Sequence, residues 1–291
     1  MQIGLLTGPF KDVEFEEMAA WASDQGFDAL EVACGPGNRH VDLSRLTPAK
    51  IKTWARIREE YFIDYSSFAY YANVAEADSR KRAAVLAGVE KTIDLAAKLK
   101  VRVVCTLAGS AAPGKSKSET IRELAAPSLR RLAKYARKKG VCLALENYFA
   151  TNLQHLDLWR ELFELVPDDN LGLNFDPSHL VWQGIDYLAA VEEFGSRIFH
   201  THAKDTEIRE DRLRRVGCIG SGWWRYVIPG YGRVAWGEYV GALRRVGYDG
   251  VLSIEHEDSA FGVKEGFVAG LQYLWRFAAR EVPAYEPEQK D

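Results

Sequence analysis

The 291-residue sequence holds little that would mark it for an oxidising compartment, a membrane or a polyanion. Its four cysteines, Cys34, Cys105, Cys142 and Cys218, are scattered and no CxxC pair occurs. That argues against a disulfide framework and against a cysteine zinc site. No apolar run is long enough to span a bilayer. Lys and Arg number 38 against 41 Asp and Glu, a net charge of −3, which gives no electrostatic reason to expect nucleic acid or an anionic membrane as partner. No GxGxxG follows the first apolar run, which weakens a dinucleotide-binding fold. The N-terminal MQIGLLTGPF lacks a basic leader and a small-residue cleavage site. It reads as a first strand, so a cytoplasmic protein is expected.

What is present is a regular alternation. Short apolar runs near 2–6, 28–33, 62–68, 101–107, 141–146, 171–175, 197–202 and 250–255 read as strands. Helical patterns fall between them at about 13–25, 47–60, 79–99, 119–139, 153–165, 185–194 and 236–246, with a last helix over 260–280. Thr47-Pro48 is a helix start, a capping hydroxyl followed by proline in the first turn. Gly26, Gly140, Gly195 and Gly247 each stand between a helix and the next strand, where a left-handed cap is expected. Eight strand–helix units predict an α/β fold with a parallel sheet, closed as a (β/α)8 TIM barrel in one domain over 1–282. Residues 203–235 read as one long loop rich in glycine and aromatics, and 283–291 as a frayed tail.

The carboxyl ends of parallel barrel strands are where ligand sites lie. Strand five, VCLALENY, ends in Glu146. Strand six, LGLNFDPSHL, supplies Asp176 with His179 just beyond. Strand seven, RIFHTHAKD, ends in His202, then Lys204 and Asp205. Strand eight, VLSIEHED, ends in Glu255. Two residues before each ligand candidate stand Ala144, Asn174, His200 and Ser253, all small or polar, as an inward-facing set should be. Three carboxylates meeting at one point repel by about 4 kcal/mol per pair at about 4 Å and a dielectric near 20. A divalent cation such as Mn²⁺, Mg²⁺, Co²⁺ or Zn²⁺ would neutralise them. Asp176 is then a metal ligand, and His179 touches metal or substrate. Lys204 and Asp205 are either a surface pair or part of the site. Trp223, Trp224 and Tyr231 either pack the long segment down or wall the substrate. His256 faces away from Glu255 along its strand.

At these residues the sequence resembles the sugar-phosphate isomerase/epimerase group of the xylose-isomerase-like barrels. The resemblance is carried by ENY after strand five, FDPSH, HTHAKD, IPGYGRVAW, GYDGVLSIEHED and the earlier SSFAYYANV, and it covers nearly the whole chain. It implies one metal, often Mn²⁺, on Glu146, Asp176, His202 and Glu255, and a substrate contact by His179. It implies that Glu146 and Glu255 exchange the substrate proton, one on each face. An arginine soon after the strand-seven histidine usually holds a substrate hydroxyl in that group. Here Arg209 is off the usual spacing, so Lys204 or Arg233 would replace it. Nuclease relatives need further histidines on strands three and four, which this chain lacks.

The chemistry expected is metal-dependent isomerisation or epimerisation of a carbohydrate by α-proton abstraction through an enediolate. The same abstraction would serve a lyase or dehydratase eliminating from a 3-keto sugar or oxidised glycoside. A non-catalytic sugar-binding barrel is the third reading. The loop after Glu255 is acidic and unsuited to a phosphate, so an unphosphorylated substrate is expected. Aromatics at the barrel mouth are compatible with a homo-oligomer, dimer or tetramer.

Overall fold

Period-two apolar runs with glycine- or polar-rich ends form eight parallel strands: Gln2–Leu6, Ala29–Gly35, Asp64–Asn73, Val103–Leu107, Cys142–Glu146, Leu171–Phe175, Ile198–Ala203 and Val251–Ile254. In this computed structural model, which describes residues 1–278, each strand pairs with its sequence neighbours. The first strand pairs with both the second (Gly4 opposite Ala29) and the eighth (Gln2 opposite Val251), so the sheet closes and leaves no edge. A two-residue strand, Val41–Asp42, pairs in parallel with the end of the second one, Cys34 opposite Val41.

The barrel interior holds one small apolar cluster, Leu6, Ala69, Cys105 and Ala144. The larger core lies between barrel and helices, where Leu143, Leu145, Leu173 and Phe175 meet Trp159, Leu162 and Tyr239. The helices that cover it are Phe15–Gln25, Pro48–Glu60, Ser79–Lys98, Leu156–Leu165, Tyr187–Phe194, Trp236–Arg245 and Val263–Leu274, with a segment of three pieces over 117–137. Thr47 caps the second helix as expected, its hydroxyl accepting from the Lys50 amide. The helix expected over 119–139 starts earlier, at Lys117 behind a Ser116/Glu119 capping box, and widens into a π turn over Ile121–Ala125 just before Pro127. The last helix, expected over 260–280, ends at Leu274, and residues 279–280 with the expected tail over 283–291 lie outside the described residues.

Two glycines correct or refine the sequence expectation. Gly26, Gly140 and Gly247 are left-handed, with φ of 90°, 70° and 81°. Gly195 is not; its φ is −51°, an ordinary helical value. Glycine is needed there for space, since a Cβ would sit 2.4 Å from Val246. Gly172 in strand six is tighter still, with the Arg197 carbonyl 2.0 Å from where its Cβ would be.

The segment 203–235 is not a loop. Asp205–Ile208 and Trp224–Val227 pair antiparallel as a hairpin, with a short helix, Glu210–Val216, between them. Asp205 pins it to the barrel by accepting from the amides of Thr206, Gly230 and Val234 and from the Trp236 indole. The PGYG turn follows from this: a Cβ on Gly232 would lie 2.2 Å from the Asp205 carboxylate.

Candidate metal centre

Strands five to eight aim four side chains at one point. One donor atom from each of Glu146, Asp176, His202 and Glu255 lies within 4.8 Å of all the others. Local sequence sets each position. Asn147, directly after Glu146, clamps the ends of strands five and six. Its amide donates to the Asp176 carbonyl at 2.8 Å, and its oxygen accepts from the Asp176 amide at 2.7 Å. Asp176 Oδ1 then accepts from the Ser178 amide at 2.8 Å, starting the single turn Ser178–Val181. That leaves Oδ2 free to face the barrel axis, and the turn swings His179 back over it, with Nε2 3.4 Å from Oδ2 and 3.1 Å from Glu146 Oε1. A register shift between Leu173 and Asn174 falls just before this point.

His202 has two different sides. Its Nε2 lies 3.1 Å from Glu31 Oε2, 3.0 Å from the Tyr71 hydroxyl and 3.0 Å from the Asn174 amide. Its Nδ1 faces the acids, 3.2 Å from Glu255, 3.5 Å from Glu146 and 3.7 Å from Asp176. Glu31 is fully buried and also accepts from Ser253 at 2.7 Å and from Tyr71. Burial alone would raise its pKa. The charges of His202 and His200, with hydrogen bonds from His202 and Tyr71, outweigh that and hold it at about 2. An ionised Glu31 accepts a hydrogen bond from Nε2–H, which leaves Nδ1 as the lone pair for a cation among the carboxylates.

Among the described residues Asp176 Oδ2 and His202 Nδ1 are buried without a hydrogen-bond partner. Two donor atoms without a hydrogen bond, set among further carboxylate oxygens, fit a divalent cation. Without it, the surrounding acids press His202 toward its doubly protonated form: burial opposes this, but Glu31 and Glu255 raise its pKa well above the usual value. Glu146 and Asp176 stay below the usual carboxylate range for the matching reason. Burial opposes ionisation, and His179 and His202 beside Glu146, and Lys204 and His179 beside Asp176, overcome it.

The structure brings Lys204 into the cluster. Its ammonium is buried, 2.5 Å from Glu255, 3.3 Å from Asp176 and 3.3 Å from Glu257. Lys204 and Asp205 are therefore not a surface pair, since they point to different partners. Arg233 is not brought there. It stands more than half exposed on the surface with Glu210 3.2 Å away. Trp223 is also directed elsewhere. It is buried with its indole N–H donating to the Gly220 carbonyl, so it packs the hairpin. By strand alternation the neighbouring Trp224 and Tyr226 take the inner face, where Trp224 stacks on Trp182 and Tyr226 stands edge-on to His179. Tyr231 is largely exposed, on Phe261. A cleft of about 520 Å³ opens beside Glu255, lined by Leu6, Pro9, Lys11, His256 and Glu257.

A second group, Glu31, Cys105 and His200, is also close enough to surround an ion. Its donors are already committed. His200 Nδ1 pairs with Asn174 at 2.9 Å and Nε2 with Ser66 at 3.1 Å, and burial raises the Cys105 thiol well above its usual pKa. This group is a hydrogen-bonded floor under the candidate centre.

Glu31, Tyr71, Asn147, Tyr226 and Glu257 escape the sequence reading. Only Glu31 carried a local signal, a carboxylate between Leu30 and Val32 in an apolar strand.

The chain belongs to the family of xylose isomerase-like TIM barrels, whose sequence pattern matches residues 19–276. An uncharacterized protein of Bacillus subtilis (strain 168), YfiH, is 26% identical over 94% of this chain and 98% of its own length. Inosose dehydratase of Clostridium perfringens is 28% identical, over 45% of this chain and 46% of its own. Among solved structures, the IOLI protein with a bound zinc atom superposes with a TM-score of 0.73 at 18% identity, covering 96% of this chain and 98% of the other. A D-tagatose 3-epimerase-like protein gives 0.74 at 23%, covering 95% and 97%. No described helix is long and apolar enough to cross a membrane.

Proposed function

We propose that this protein is a divalent-metal-dependent isomerase or epimerase of an unphosphorylated sugar. The observation that carries this is the set of lone pairs on Glu146, Asp176, His202 and Glu255 turned toward one point, two of them buried and unpartnered. Those four residues would hold the ion, for which Mn²⁺ is our choice, although a structural neighbour holds zinc. When bound, the ion polarises a sugar carbonyl and so acidifies the neighbouring C–H.

The chain's own groups do the rest. Glu255 borders the open cleft and takes the α-proton, with Lys204 at 2.5 Å holding the carboxylate in place. Glu146, across the cluster and beside His179, takes up a proton as the sugar binds and delivers it to the opposite face, and Glu255 sheds the proton it took when the product leaves. His179 donates from Nε2 to a substrate oxygen. The aromatic side of the hairpin excludes water from the intermediate. The setting is cytoplasmic.

Elimination is the second reading, and one observation favours it: the buried Lys204 ammonium, poised beside Glu255, can protonate a leaving hydroxyl. The partial match to inosose dehydratase agrees with it. Deuterium exchange against a panel of ketoses and 3-keto-glycosides tests both. Wash-in at a carbon next to the carbonyl is expected, and Glu255→Gln should abolish it. An isomeric product marks epimerisation and an unsaturated one elimination. Full wash-in with Glu255→Gln refutes the assignment of the base.

A further inference from the structure

The hairpin that replaces a loop after strand seven reaches into the candidate centre at one residue. Tyr226 lies opposite Thr206 in the hairpin register, and the Thr206 hydroxyl donates to the Ser178 carbonyl, on the turn that carries His179. Arg225 ties the same strand to Glu207 and to Asp258. Tyr226 is thus fixed from both sides, with its hydroxyl 2.5 Å from His179 Nδ1 and its ring face 4.5 Å below the Lys204 ammonium.

The direction of that hydrogen bond follows from the far side of the imidazole. His179 Nε2 faces Glu146 Oε1 at 3.1 Å and Asp176 Oδ2 at 3.4 Å, two acceptors. The Lys204 ammonium is 3.5 Å from the same nitrogen, farther than either oxygen, and has Glu255 at 2.5 Å as its own partner. In the singly protonated ring the geometry therefore puts the hydrogen on Nε2, and Nδ1 is the lone pair to which the Tyr226 hydroxyl donates.

We infer that Tyr226 is a positioning residue: the hairpin places its hydroxyl on His179 Nδ1, which holds the imidazole with its Nε2–H facing the centre, ready to donate to a substrate oxygen. The inference about the ring's geometry needs no substrate. Its consequence for turnover rests on the function proposed above.

The test is the ring-nitrogen NMR spectrum of ¹⁵N-histidine-labelled full-length protein loaded with zinc, which is diamagnetic, with His179 assigned from the signal lost in His179→Gln. Wild type should show the Nε2–H form. Tyr226→Phe, which keeps the ring under Lys204, should move the His179 signals toward a mixture of both forms with an unchanged melting temperature. On whichever sugar exchanges deuterium, kcat of the variant should fall about tenfold with KM held within about twofold. A wild-type ring with hydrogen on Nδ1 overturns the inference without any variant, and so does a Tyr226→Phe spectrum identical to wild type. If no sugar exchanges with wild type, the proposed function fails and the ring spectrum still decides the role of Tyr226.

Discussion

Replacing Glu31 by glutamine tests whether the floor of the barrel tunes the metal centre. Glu31 is not itself aimed at the ion. It is fully buried and receives His202 Nε2, Ser253 and Tyr71. Glutamine has nearly the same shape and its amide oxygen can still accept from Nε2. The two hydroxyls can rotate to accept from the new amide, so packing survives. What disappears is the negative charge that makes the imidazole a stronger donor through Nδ1. Loss of such a carboxylate behind a metal-bound histidine weakens metal affinity about 10- to 100-fold, or about 1.4–2.7 kcal/mol. Ser253→Ala is the control, since it removes a hydrogen bond to Glu31 and keeps the charge; its effect should stay below about threefold. Competition of Mn²⁺ or Zn²⁺ against a chelating dye reads both. Wild-type affinity in Glu31→Gln, to within about twofold, would refute the reasoning. The same substitution has a pH signature in the metal-free protein. A folded pKa of about 2, below the ordinary 4.5, means that the ionised group stabilises the fold above pH 4.5, and that this is lost as pH falls toward 2. Glu31→Gln should lack that increment in urea titrations.

Lys204→Met removes the cation shared by Glu255, Asp176 and Glu257. The metal-free protein should lose about 3–5 kcal/mol, recovered in part by Mn²⁺; urea unfolding with and without chelator checks it, and an equal loss in both would contradict the neutralising role. Asp205→Ala leaves four donors of the hairpin and its return without their acceptor, so a loss of about 3 kcal/mol or more is expected, with faster amide exchange over 205–235. Gly172→Ala drives a methyl into the Arg197 carbonyl and the Phe199 ring. The overpacking should cost about 1–3 kcal/mol or more, read as a fall in melting temperature.

Much of this architecture was legible because it is repetitive. Eight apolar runs with period two, each followed by a helical period, admit few arrangements other than a closed barrel, and the ligands fall at the ends of four of them. The hairpin was not legible. Its strands have four residues each, and paired residues such as Trp224 and Ile208, or Val227 and Asp205, are separated in sequence by a charged helix, so no local pattern announces the pairing. Arg233 and Trp223 belong to the long aromatic segment, but nothing local in it says which way a side chain faces, and strand alternation gives the inner face to Trp224 and Tyr226. Lys204 was drawn to the site by its place beside His202, but its three carboxylate partners come from strands six and eight and appear only once the barrel closes. Gly195 looked like a cap from its position and proved to be a packing glycine, because Val246 lies far away in sequence.

The central claim is that Glu146, Asp176, His202 and Glu255 together hold one divalent ion. Anomalous diffraction from crystals soaked in Mn²⁺ tests it directly. The account predicts one peak per chain, within bonding distance of Asp176 Oδ2 and His202 Nδ1 and lost in Asp176→Asn. An empty map at that point, or a peak bound by other residues, would contradict it.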